Sequence, residues 1–125
     1  MKVFKTKEFA KWAKSVKLSE KILLGAVEEI ENSLIDANLG CNLYKKRVAT
    51  PEKGKSGGYR TLVAYKKKGN IFFLYGFEKN ARANINEKEE IALKEFAKLL
   101  LGFTEKELQH AVKVGELIEV KNEKI

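Results

Sequence analysis

Hydrophobic positions change period twice along this chain. Between residues 6 and 17, Phe9, Trp12, Ala13 and Val16 recur at spacings of three and four, which predicts an amphipathic helix. The short run "KVF" before it reads as an edge strand. Ser19 offers an N-cap for a second helix whose stripe is Leu23, Val27, Ile30 and Leu34, with Asn38 and Gly40 as its stop. From Leu43 the period shortens. "LYKKRVA" reads as a strand, and Pro51, Gly54, Gly57 and Gly58 mark a loop. "YRTLVAYK" and "NIFFLYGF" are rich in β-branched and aromatic residues, and "KKGN" between them has turn chemistry. Both runs are apolar at nearly every position, so they are expected as central strands with helices over at least one face.

After Asn86 the helical period returns. "NEKE" and "TEKE" each place a glutamate three residues after a capping residue. They predict one helix carrying Leu93, Phe96, Ala97 and Leu100, ended by Gly102. A second carries Leu108, Ala111 and Val112 and ends near Gly115. The tail "LIEV" is a short strand or a docking segment. Helices, then an antiparallel sheet, then helices make an α+β fold. A chain of 125 residues, without repeats or a linker, holds one domain over 1–125.

Composition narrows the function. One cysteine, Cys41, excludes an internal disulfide, and a lone thiol is most often an inert packing residue. The charged N-terminus has no apolar targeting core, and no run approaches the roughly 20 apolar residues that span a bilayer. The expectation is a cytoplasmic protein without a membrane partner. The net charge of +8 is unevenly spread. Residues 42–82 hold eleven basic and two acidic side chains, while the remainder holds 14 and 15. Such concentration is the footprint of a surface for nucleic acid or phosphate.

Several chemistries lack their residues. Asp36 is the single aspartate and the glutamates fall in helical segments, which argues against a metal site. No other cofactor motif is present. His110 is the single histidine, so a two-histidine acid–base mechanism is excluded, and its place in an amphipathic helix suits a surface residue. "GKSGG" is too short for a phosphate-binding P-loop and reads as a flexible basic loop. Lysine, arginine and tyrosine remain, and that set can cleave RNA, whose own 2′-hydroxyl is the nucleophile. Arginine stabilises the extra negative charge on phosphorus through its permanently charged fork. A lysine crowded by other cations titrates low enough to carry a proton near neutral pH.

A two-residue turn at Lys68 and Gly69 would pair the flanking strands so that residue numbers sum to 137. Arg60 then faces Phe77, Tyr59 faces Glu78, and Gly58 faces Lys79. The open end of this hairpin gathers Arg60, Lys79 and "KNAR" with Arg82, and the loop bearing Lys53 and Lys55 enters there too. Lys45, Lys46 and Arg47 add charge for binding RNA, and Tyr59 and Tyr75 are placed to stack a base. Lys66, Lys67 and Lys68 lie at the far turn and read as solvated, and Tyr65, Phe72 and Phe73 as core.

The strings "GKSGGYR" and "FLYGFEKN", the latter followed by an arginine and "NI", resemble the RelE-type toxins of bacterial toxin–antitoxin modules, and within them a HigB-like branch. The resemblance covers nearly the whole chain, through "GELIEV". It implies a small toxin that enters the ribosomal A site and cleaves mRNA there, partnered by a co-encoded antitoxin, often of helix-turn-helix type. It also implies roles for basic residues before the central strand (Lys53, Lys55), an arginine opening that strand (Arg60), and a basic residue after the last one (Lys79 or Arg82). Where some relatives carry a further tyrosine this chain has Ile85, which leaves Tyr59 or Tyr75 as a substitute. The superfamily also contains ParE-type gyrase inhibitors, so a gyrase-directed toxin and a non-catalytic RNA-binding module remain open alternatives.

Overall fold

The computed structural model describes residues 1–50 and 58–121. In chain order the elements are β1 (Val3–Thr6), α1 (Lys7–Ser15), α2 (Glu20–Glu31), β2 (Ala37–Gly40), β3 (Leu43–Val48), β4 (Tyr59–Tyr65), β5 (Ile71–Glu78), α3 (Glu87–Leu101), α4 (Glu105–Lys113) and β6 (Leu117–Val120). The strands form one sheet in the order β2-β3-β4-β5-β1-β6. Every pairing is antiparallel except β1 with β5. The fold is α+β, as the pattern predicts.

The apolar residues of β4 and β5 serve two cores. Tyr59, Val63, Ile71 and Phe73 join the cluster that buries Phe9, Ala13, Leu23, Val27 and Ile30 of α1 and α2. Leu62, Ala64, Phe72, Leu74 and Phe77 join a second cluster with Ala97 and Leu100 of α3 and Leu108 and Ala111 of α4. Helices therefore cover both faces, and neither central strand needs a polar side. Both expected capping boxes form, Asn86 with Glu89 and Thr104 with Glu107.

Three expectations change. "KVF" is not an edge: β1 lies between β5 and β6, and β6, which is "LIEV" as a strand, takes the edge. The second helix stops at Glu31, well before Asn38. Ser33 adopts φ 63° and its N–H reaches the Ile30 carbonyl, while the Leu34 N–H reaches that of Glu29. This is a Schellman stop built without glycine, and it leaves Leu34 outside the helix and exposed. Asn38 and Gly40 belong instead to a hairpin. Its turn is Cys41 and Asn42, with φ of 55° and 62°, the left-handed pair that a tight turn between twisted strands requires. Cys41 is thus an exposed turn residue and not a packing one.

The hairpin of β4 and β5 contains an irregularity that the sequence did not announce. Near its loop the pairs are Tyr65 with Ile71 and Val63 with Phe73, and beyond it Leu62 pairs with Tyr75. Leu74 is the extra residue of a β-bulge. Its carbonyl accepts from the Thr6 hydroxyl at 3.1 Å, and that same hydroxyl oxygen accepts from the Phe9 N–H as the N-cap of α1. At the open end, Arg60 faces Phe77 and Tyr59 faces Glu78, as the sum of 137 predicts.

Past the bulge, Gly76 turns toward α1, and the indole of Trp12 lies directly on it. A Cβ there would sit 2.2 Å from Trp12 Cζ3. Retreat is blocked by Phe9 and Tyr59, whose rings lie 5.5 and 5.4 Å from the indole. Gly76→Ala is therefore expected to cost about 1–3 kcal/mol through overpacking, read by chemical denaturation. Wild-type stability in that variant would show that α1 does not depend on this contact.

Candidate functional site

The row Arg47–Arg60–Phe77 runs across β3, β4 and β5 as consecutive register partners. By strand alternation it lies on the face covered by α3, because Leu43, Leu62 and Phe77 belong to that core. The neighbouring row is Lys45–Leu62–Tyr75. Two arginines lie directly opposite one another, which concentrates positive charge at this end of the sheet. Arg47 is half-exposed and approaches Asp36 at 3.7 Å, while its N–H donates to the same carboxylate at 2.6 Å. Arg60 is 6% exposed. Its charge sits where the dielectric is low, and its influence on a nearby anion is correspondingly large.

Arg82 completes the group from beyond β5. Its guanidinium lies 5.7 Å from the centre of the Phe77 ring. Nη1 donates to the Tyr75 hydroxyl at 3.1 Å and to Glu89 Oε2 at 2.8 Å, Nη2 donates to Glu89 Oε1, and Nε donates to the Asn84 carbonyl at 2.9 Å. Lys79 is exposed one residue past β5. The structure thus brings Arg47, Arg60, Tyr75 and Arg82 around one end of the sheet, with Lys45 one row away. Lys53 and Lys55 lie outside the described residues.

Two expected RNA contacts are placed elsewhere. Lys46 alternates with Arg47 and points to the opposite face, where it is 2% exposed. Its ammonium is bound by Glu29 Oε1 at 2.6 Å and the Leu34 carbonyl at 2.7 Å, so it fastens β3 to α2 and is not presented to RNA. Tyr59 is 7% exposed in the α1 core, edge-on to Trp12, with its hydroxyl 3.4 Å from the Val16 carbonyl. It is unavailable for stacking a base. Glu89 went unnoticed in the sequence because its place in "NEKE" already had a capping explanation. His110 is exposed on α4, and among the described residues no three His, Cys, Asp or Glu side chains cluster. Nor, among them, is any helix long and apolar enough to cross a membrane.

The pairing has an electrostatic signature. Arg82, and after it the Asn86 N–H, holds the Glu89 carboxyl below the usual glutamate range, and Glu89 raises Arg82 further above its already high value. Because the folded value of Glu89 is depressed, its contribution to stability is present above the ordinary glutamate pKa of about 4.3. That contribution is lost as pH falls through the lower folded value. The stability margin of wild type over Glu89→Gln should therefore be constant at neutral pH and close in acid, as read by unfolding across pH. A margin independent of pH would show that the charge of Glu89 contributes nothing.

Residues 1–120 match the family model described as RelE toxin of the RelE/RelB toxin–antitoxin system. No curated protein matches the chain. Since the match spans nearly all of the sequence and the sheet with its two helical layers, the chain belongs to the RelE family and is a toxin of a toxin–antitoxin system.

Proposed function

We propose that this toxin is an endoribonuclease that cleaves mRNA on the ribosome, without a metal, by means of its clustered arginines and lysines. The observation that carries the reading is the row Arg47–Arg60–Phe77, with Lys45 in the neighbouring row. It concentrates fixed positive charge at one end of a rigid sheet, where a phosphate in transit to a five-coordinate state would be stabilised. Family membership implies a co-encoded antitoxin, and we read it as one of helix-turn-helix type.

In the reaction, the 2′-oxygen of the substrate forms a bond to phosphorus as the bond to the 5′-oxygen breaks. The 2′-hydroxyl gives up its proton and the departing oxygen receives one. Arg60 supplies charge and no proton, because a guanidinium does not deprotonate in this range. Lys79, an exposed amine at the same end, is the group suited to move a proton, and Lys53 and Lys55 are the further candidates from the resemblance. Arg47 and Lys45 extend the basic face toward neighbouring phosphates, whose contacts add affinity and salt dependence.

The test is a translation reaction with purified ribosomes and a defined mRNA. New 3′ ends in codon register, seen only when ribosomes are present, are expected. Arg60→Lys keeps the charge and loses the fork, and should lower cleavage by roughly 10- to 100-fold with the fold retained. Lys79→Ala should be impaired on the same scale. Intact mRNA with wild-type toxin, accompanied by DNA damage signalling in cells, would replace this reading with gyrase inhibition.

A further inference from the structure

A guanidinium has five N–H groups, and four of those of Arg82 are spoken for. The single N–H left cannot form the two-pronged contact that makes arginine a strong phosphate ligand. What the bonds achieve instead is a junction of three segments. Tyr75 and Phe77 are on β5, Asn84 is in the connection that follows, and Glu89 is in the first turn of α3. Lys79 is carried by the same connection. Glu89 is the hub of this junction, since its Oε1 also accepts from the Asn86 N–H at 2.9 Å. One carboxylate thereby starts α3 and fixes the arginine.

We propose that Glu89 is a positioning residue of the cleavage site: it holds Arg82 as a brace that sets Tyr75 and the Lys79 connection against Arg60, and withholds Arg82 from the role of phosphate ligand. The inference rests on the nuclease reading and separates two residues that the resemblance left interchangeable. Lys79 meets the substrate and Arg82 does not.

The two functions of Glu89 can be uncoupled. Glutamine at this position of a capping box still accepts from the N-cap N–H, so Glu89→Gln keeps the helix start and removes the charge that holds Arg82. In the ribosome-dependent assay, Glu89→Gln should lower kcat about tenfold with KM for mRNA-loaded ribosomes unchanged, and thermal unfolding should move by only a few degrees. Arg82→Gln should behave alike. The double variant should be no worse than either single one, because both act through one junction. Lys79→Ala combined with Glu89→Gln should be little worse than Lys79→Ala alone, because the brace acts through the Lys79 connection.

Three results overturn the inference. Glu89→Gln cleaving like wild type removes it while leaving the nuclease reading intact. A lower KM in Glu89→Gln does so as well, since that is the effect of releasing a phosphate ligand. Multiplicative losses in the Glu89→Gln, Arg82→Gln double variant would show that the residues act separately. A wild-type protein that leaves ribosome-bound mRNA intact fails at the earlier step, and both readings fall together.

Discussion

One extra residue in β5 decides what the two faces of the sheet can do. Up to Phe73 the strand alternates in one phase, and beyond Leu74 in the other. Without that step, Phe77 would face α1 and Gly76 would face α3. Trp12 would lose the flat backbone it rests on, and Arg60 would lose the aromatic partner that Arg82 covers. The bulge frees the Leu74 carbonyl, and the Thr6 hydroxyl satisfies it while capping α1. A backbone irregularity, a helix start and the placement of the cation cluster are thus one linked arrangement.

The charge distribution follows from the same arrangement. Residues 42–82 carry the excess positive charge of the chain, but strand alternation divides it. Lys46 goes to the α2 face and is neutralised by Glu29, whereas Lys45, Arg47 and Arg60 go to the α3 face. Asp36 engages Arg47, and the sheet that carries both arginines is packed between two cores. The strand register thus fixes which cations share the α3 face.

Much of this was legible in the sequence, though unevenly. Capping residues at Ser19, Asn86 and Thr104 announced three helix starts, because a side chain that accepts from the third N–H is a local feature. Helix ends were harder. Gly115 signals a left-handed stop, but Ser33 and Lys17 take the same conformation with side chains that do not advertise it. The strand β2 was missed because its turn is Cys41–Asn42 in place of the usual asparagine–glycine. The hairpin register was right at its open end through two compensating departures, a loop longer than two residues and the bulge. "NIFFLYGF" is apolar throughout, so no alternation exposes the phase change. Composition found the cations, but it could not tell Lys46 from Arg47, since one residue of register separates a buried tie from an exposed contact.

The central claim is that this site lets an RNA 2′-hydroxyl attack its own phosphate without an activated water. The most direct measurement is the chemistry of the ends it leaves on ribosome-bound mRNA, read by mass spectrometry of the fragments. A 2′,3′-cyclic phosphate or its 3′-phosphate product, paired with a 5′-hydroxyl, is the predicted result. It should vanish when the nucleotide before the cut carries 2′-hydrogen. A 3′-hydroxyl paired with a 5′-phosphate would contradict the account, because it requires attack by water and a different site from the one built around Arg60.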